Sequence, residues 1–270
     1  MVHLKNENEI RFMRSAAELV GRTLAEVAKA VRPGVTTAEL DRIAEAFIES
    51  HGGVPAFRGY RVGRHVFPAS LCTSVNDEVV HGIPGERRLV EGDLISVDCG
   101  VVLDEYYGDS AYTFAVGDLD AANLQLCRVT YEALQHGVEK AVAGNRIGDI
   151  ASAIQEHCEA HGYGVVRDLV GHGIGRNLHE DPQVPNFGRR GNGRKLRSGL
   201  VLCIEPMINR GDADVVSDHD GWTIRTRDGA PSAHYEHMVV VRRGGAEVLS
   251  TFEYIEEVAE APYRQELADG

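Results

Sequence analysis

The chain has 270 residues, 43% apolar and 26% charged, and its 41 Asp+Glu against 28 Lys+Arg give a formal charge of −13. That length buries a substantial core in one large domain or two small ones, and the ordinary composition excludes wholesale disorder. The acidic balance excludes a protein built chiefly to grip phosphate backbones, and no window approaches the ~18 apolar residues of a spanning helix.

Met1 to Glu9 is polar and carries no apolar signal segment. Glu9 to Ala30 reads as an amphipathic helix, with Ile10, Met13, Ala17, Val20, Leu24 and Val27 at helical spacing. Pro33-Gly34 breaks it. Thr36-Thr37-Ala38-Glu39 then opens a second helix with a capping-box pattern, closed by Gly52-Gly53. Strong β segments follow around Asp93–Cys99 and Tyr107–Val116.

After Gly117 the pattern restarts. A long helix is expected over Asp120 to Ala143, a shorter one over Ile147 to Ala160, and strands at Leu200–Ile208, Gly221–Thr226 and His234–Arg242. The second helices correspond at an offset of 110 residues, Leu40 with Ile150 and His51-Gly52 with His161-Gly162. This predicts one α/β (α+β) domain over 1–270, in two related helix–helix–strand halves at about 9–117 and 118–250, with a short tail at 251–270. Helices should cover one side of a curved, mainly antiparallel sheet. Cys72, Cys99, Cys127, Cys158 and Cys203 are odd in number and form no CxxC pair. They fit buried thiols in a reducing, cytoplasmic setting better than a disulfide framework or a thiolate zinc site.

Four strand candidates carry an acid where burial is costly: Asp98, Asp109, Glu205 and Glu236. Singly, Asp98 and Asp109 also fit turn-flanking acids bonded to backbone amides. A hairpin over 93–116 turning near Leu103-Asp104 places Asp98 opposite Asp109, with Cβ atoms ~5 Å apart. Glu205 and Glu236 repeat the arrangement. Opposed carboxylates repel unless protonated or bridged by a cation, and two divalent ions balance four of them. His172, in Gly171-His172-Gly173-Ile174-Gly175, is a reachable imidazole where the backbone can approach closely. His81 and His179 are further candidates. One imidazole with four carboxylates suits Mn, Fe or Co rather than structural zinc, and paired ions suit metal-assisted hydrolysis. His234 and His237 flank Glu236 and are expected to point away from it. His51, His65, His136, His161 and His219 read as surface or capping groups.

The run Thr73-Ser74-Val75-Asn76-Asp77-Glu78-Val79-Val80-His81-Gly82-Ile83-Pro84, with Ser96-Val97-Asp98-Cys99-Gly100, Gly108-Asp109, the His172 glycine run, Ile204-Glu205-Pro206 and Tyr235-Glu236-His237, resembles type I methionine aminopeptidase in order and spacing. The resemblance covers nearly the whole chain and implies the pita-bread fold. It implies that Asp98, Asp109, His172, Glu205 and Glu236 ligate two divalent ions (Co, Mn, Fe or Zn), with Asp109 and Glu236 bridging. It further implies that His81 and His179 contact the scissile peptide and that Glu205 shuttles a proton from a metal-bridging water to the leaving amine. The implied reaction removes the initiator methionine from nascent polypeptides when the second residue is small. The implied partners are nascent N-termini, with transient ribosome contact and a monomeric state. Tyr60, Phe67, Cys72 and Trp222 match the methionine pocket, Cys72 and Trp222 serving equally well as ordinary core. Two departures affect that pocket: the extra residues Arg61-Val62-Gly63-Arg64-His65-Val66, and Leu178 where an aromatic is common.

Two rival readings remain in view. An aminopeptidase P or prolidase shares the implied fold, but the first helix begins too near the start for the extra N-terminal domain those enzymes usually carry. The type II insertion is also missing, since 25 residues separate His179 from Glu205. A non-catalytic peptide- or nucleic-acid-binding relative should have lost ligands or gained a basic face, and this chain has done neither.

Overall fold

The structure, a computed structural model, describes residues 2–264. Asn6 opens α1 (Glu7–Ala28): its side chain accepts from the amides of Asn8 and Glu9, and Glu9 accepts from the Asn6 amide. The helix thus begins two residues before the expected start, because the polar cap rather than the first apolar residue sets the boundary. The box expected at α2 (Thr37–Ser50) is formed. Thr36 Oγ1 accepts from the Glu39 amide at 3.2 Å, and the Glu39 carboxylate accepts from the Thr36 amide at 2.7 Å. Thr36→Ala is therefore expected to cost about 1 kcal/mol. Calorimetry should register it as a Tm lower by about 2–4 °C; an unchanged Tm removes the cap from the stability of α2.

The second pair of helices is α3 (Ala121–Lys140) and α4 (Ile147–Ala160), and α4 matches α2 at 14 residues. Leu40 of α2 and Ile150 of α4 are both fully buried.

The strands that position the site are β1 (Leu71–Val75), β2 (Glu78–Val80), β3 (Leu94–Leu103), β4 (Tyr106–Ala115), β5 (Gly171–Gly173), β6 (Glu180–Val184), β7 (Val201–Ile204), β8 (Met207–Asn209), β9 (Ser232–His234), β10 (His237–Val241) and β11 (Ala246–Val248). The expected strand at Leu200–Ile208 divides at Glu205-Pro206, because proline has no N–H for the ladder. The one expected at His234–Arg242 divides around Tyr235-Glu236, and Gly221–Thr226 shortens to Ile224–Thr226. Both breaks fall at an acid.

β3 pairs with β1 and β4, while a second sheet runs in the order β6-β5-β7-β10-β11, all antiparallel. The two sheets meet along β4. The Glu236 amide donates to the Ala111 carbonyl at 2.9 Å, and Ser110 Oγ donates to the Glu236 carbonyl at 2.7 Å. Thr113 Oγ1 donates to the His234 carbonyl at 2.7 Å. Helix α1 lies directly on β4, where a Cβ on Gly108 would stand 2.5 Å from the Ala16 carbonyl carbon.

The core between helices and sheets holds Val20, Leu24, Ile95, Val97, Leu126, Leu134, Ile154, Leu202 and Val239, all fully buried. Toward the C-terminus α5 (Glu253–Glu256) buries Ile255, and Tyr263 stacks on Tyr131 at 3.7 Å. Residues 265–270 of the expected tail lie outside the described residues. Among the described residues no helix is long and apolar enough to cross a membrane.

Candidate metal centre

The β3–β4 hairpin turns on Asp104 and Glu105, which have φ of 50° and 67°. Two consecutive left-handed residues make the primed two-residue turn that matches strand twist. Its register pairs Gly100 with Asp109 and Asp98 with Ala111. The expected direct opposition of Asp98 and Asp109 is therefore corrected. The turn sits one residue later than its sequence signal placed it, which moves the pairing by two. An even slip keeps both side chains on one face as diagonal neighbours, so the acids still converge. In the second half Ile204 pairs with His237, and the same register carried one step further sets Glu205 opposite Glu236.

His172 lies on β5, squeezed between β6 and β7. A Cβ on Gly171 would stand 2.4 Å from the Cys203 carbonyl oxygen, and one on Gly173 2.4 Å from that of Asp181. Only glycines permit that approach. Nδ1 of His172 donates to the Gly173 carbonyl at 2.9 Å, which leaves Nε2 free. Nε2 stands 3.8 Å from Asp109 Oδ2 and 3.6 Å from Glu205 Oε1. Burial lowers the imidazole to about 3, with His179 adding to the effect, so the ring is neutral and fit to ligate.

The carboxylates shift the other way. Burial pushes Asp98 up to about 7, and burial followed by the charges of Glu236 and Asp98 holds Asp109 well above the carboxylate range. Glu205 is raised by burial and then by Asp98 and Asp109, Glu236 by burial and then by Glu205 and Asp98. Asp98 Oδ1, Asp109 Oδ1 and Glu236 Oε1 are buried without a hydrogen-bond partner. Orphaned acceptors aimed at one another are costly unless a cation completes them. The donor set therefore fits bound divalent ions.

The other predicted residues line the same cavity, of about 290 Å³. His81 follows β2 with φ of 60°, a left-handed conformation uncommon outside glycine, and burial lowers it to about 4. His179 Nδ1 lies 2.6 Å from the Tyr60 hydroxyl, and burial lowers its pKa. The apolar wall carries Phe67 and Trp222, edge to face at 5.2 Å, with Cys72 and Leu178 buried beside them. The extra segment folds as a small hairpin, Arg61–Val62 on His65–Val66, and Val62 reaches the cavity.

Sequence reasoning missed four residues. His234, expected to point away, has its buried Nε2 3.8 Å from Glu205 Oε2 with no hydrogen-bond partner. It precedes Glu236 by two positions, the same-face interval along an extended chain, whereas adjacent His237 does turn away, onto Phe252 at 4.0 Å. Cys203 stands two positions before Glu205 and within 4.8 Å of Asp109, His172 and Glu236. Burial and the charges of Glu236 and Asp109 keep its thiol protonated. Phe57 and Met207 also line the cavity. The period-2 rule, applied outward from each acid, reaches His234, Cys203 and Met207; nothing local marks Phe57.

The comparisons agree with this geometry. The family model described as "Metallopeptidase family M24" matches residues 11–243. A methionine aminopeptidase of Clostridium acetobutylicum is 52% identical over 254 residues, 94% of this chain and 100% of that protein. The crystal structure of the methionine aminopeptidase of Rickettsia prowazekii superposes with a TM-score of 0.90 at 41% identity, covering 93% of this chain and 100% of that one. A prolidase of Pyrococcus horikoshii, at 21% identity and a TM-score of 0.76, covers 96% of this chain but 65% of its own, and shares the fold alone. The architecture is the pita-bread fold that the motifs implied. With acids, imidazole and fold in agreement over nearly its whole length, the chain belongs to metallopeptidase family M24.

Proposed function

We propose that the protein is a methionine aminopeptidase that removes the initiator methionine from polypeptides whose second residue is small. The single observation that carries this reading is four carboxylates, Asp109 and Glu236 buried and Asp98 and Glu205 half-buried, lining one cavity of about 290 Å³ with a neutral imidazole. Asp98, Asp109, His172, Glu205 and Glu236 would hold two divalent ions. Cobalt, manganese and iron suit so oxygen-rich a set, with zinc also admitted. Bound there, such ions supply Lewis-acid polarisation of the scissile carbonyl and an activated water nucleophile.

The chain's own residues do the rest. Glu205 takes the proton of the attacking water and passes it to the leaving amine, a task suited to a carboxylate whose proton affinity is raised by burial. Tyr60 donates to Nδ1 of His179, which leaves Nε2–H directed at the substrate. His81, held neutral by burial, supplies the second donor to the developing oxyanion. The methionine thioether packs among Phe67, Trp222 and Leu178, gaining dispersion and sulfur–ring contacts. The carboxylates would hold the substrate's free α-amine, so hydrolysis stops at the first residue. Removing the phenol tests the His179 tether. Tyr60→Phe should lower kcat roughly tenfold at nearly unchanged KM, the mark of a group acting in the transition state.

In this reading the chain is one catalytic domain of two related halves, 9–117 and 118–250. It works as a monomer in the cytoplasm, where reducing conditions suit five buried free cysteines, and it meets nascent chains through transient ribosome contact. The deciding assay compares hydrolysis of a Met-Ala-Ser peptide with that of a Xaa-Pro peptide by metal-loaded protein. Cleavage of the first alone is expected. Cleavage of the second would move the chain to the prolidases, and two bound ions with neither cleaved would end the enzymatic reading.

A further inference from the structure

Residues 174–179 connect β5 to β6 and bring Leu178 and His179 to the cavity. The next residue, Glu180, fixes the shape of that connection. Its Oε1 accepts from the amides of Arg176 at 3.0 Å and Asn177 at 3.2 Å, which folds the segment back on itself. Its Oε2 accepts from Lys5 Nζ at 2.6 Å, an ammonium 175 positions earlier in the chain. The Lys5 side chain is 3% exposed and that of Glu180 16%. Lysine is almost never this buried without a partner, and Glu180 supplies one.

Two glycines admit the lysine. A Cβ on Gly175 would stand 2.6 Å from Lys5 Cε and 2.7 Å from Glu180 Oε1, and one on Gly199 2.7 Å from the Lys5 carbonyl oxygen. The Lys5 amide donates to the Gly199 carbonyl at 2.7 Å, and the Tyr107 amide of β4 to the Gly175 carbonyl at 2.9 Å. The strap ahead of α1, the β5–β6 connection and β4 are thereby joined around one ion pair. Burial alone would raise the Glu180 carboxyl. The hydrogen bond and charge of Lys5 and the two amides outweigh it and hold the group below its usual value.

His179 needs such a fixture. The Tyr60 hydroxyl lies 2.6 Å from its Nδ1, and its ring stands edge-on to His172 with centroids 4.3 Å apart. Those contacts set how the ring is turned. Where its backbone stands is set by Glu180, the adjoining residue, and Lys5 anchors Glu180. A reacting group misplaced by about 1 Å costs up to 10²-fold in rate. We propose that Lys5 and Glu180 are positioning residues, whose buried ion pair locks the β5–β6 connection so that the His179 imidazole is held toward the substrate. The inference rests on the peptidase reading of His179 and adds to it a residue from the strap ahead of α1.

The test is Lys5→Met in metal-loaded protein, which keeps the buried stem and removes the charge. Three results are expected. The Arg176 and Asn177 amides should exchange with solvent about tenfold faster. In the zinc-loaded protein the His179 imidazole NMR signals should move, and those of His157 on α4 should not. With the Met-Ala-Ser peptide kcat should fall about tenfold at nearly unchanged KM, yet less than about twofold in a His179→Ala background, since residues acting through one group are not additive. A lysine with a merely structural role lowers kcat by the same factor in both backgrounds, and that result would overturn the proposal. Unchanged amide exchange or unmoved His179 signals would overturn it too. Wild-type protein that leaves the peptide uncleaved refutes the peptidase reading instead, while exchange and the His179 signals still decide the lock. Glu180→Gln carries the same expectations, and Lys5→Met/Glu180→Gln, which leaves no charge unpaired, keeps the test decisive if a single variant misfolds.

Discussion

Asp109→Asn is expected to lower kcat/KM by about 10³ or more, equivalent to about 4 kcal/mol of transition-state stabilisation, and to deplete bound metal. The same change should raise the melting temperature of the chelated protein. Asp109 is 4% exposed, faces His172 Nε2 at 3.8 Å, and carries an oxygen with no hydrogen-bond partner. Asparagine keeps the shape but spares the chelated fold the proton uptake that burial and the charges of Glu236 and Asp98 impose on Asp109. The chelated fold therefore gains about 1–3 kcal/mol, as buried charges often cost more than their neutral replacements. Stability and activity part in opposite directions, which a merely structural acid does not do. Metal analysis, peptide kinetics and melting after chelation read the three effects. Retained metal with unchanged turnover would remove Asp109 from the centre.

Chelation should also reverse the pH dependence of stability between pH 7 and 8. Asp98 moves from a usual 3.8 to about 7, and Asp109, Glu205 and Glu236 are each held well above the usual carboxylate range. A carboxyl whose folded pKa is raised binds protons that the unfolded chain has already lost. Its stabilisation is complete below the unfolded pKa and disappears as pH rises through the folded one. The buried histidines act oppositely. His172 and His234 are lowered to about 3 and His81 to about 4, so they add stability as pH rises toward 6.5. Above pH 7 imidazoles are neutral in both states, and below pH 8 thiols remain protonated in both, which leaves the carboxylates in control. The chelated Tm should therefore fall from pH 7 to 8. In the loaded protein it should hold or rise, because metal binding displaces those same protons. At a hundredfold excess over each dissociation constant two ions contribute about 5 kcal/mol, so the curves should stand about 10 °C or more apart at pH 8. Parallel curves would place the metal elsewhere.

The helices and their caps were legible because their determinants lie within a few residues. Thr36 and Glu39 need only each other, and Ile147 to Ala160 needs only its own spacing. The four acids and the imidazole of the candidate centre were also legible, since an acid inside an apolar run signals a cost that something must offset. Distances were less so. The β3–β4 turn uses Asp104-Glu105 with no glycine to announce it, and the pairing moved by two residues. His234 was passed over although its interval from Glu236 placed it on the same face.

From sequence alone came the family, the element order, the acids that converge and the histidines near them, all carried by local pattern and motif spacing. The tertiary structure alone decided which strands meet along β4, that Phe57 and Met207 line the cavity, and that the hairpin of Arg61–Val62 and His65–Val66 brings Val62 to it. It also brought His136 beside His157 through the gap left by Gly137. The division has one physical cause. Capping, alternation and helical spacing act over a few bonds, whereas a site is closed by packing between segments a hundred residues apart, where one absent Cβ or one shifted turn selects the neighbour.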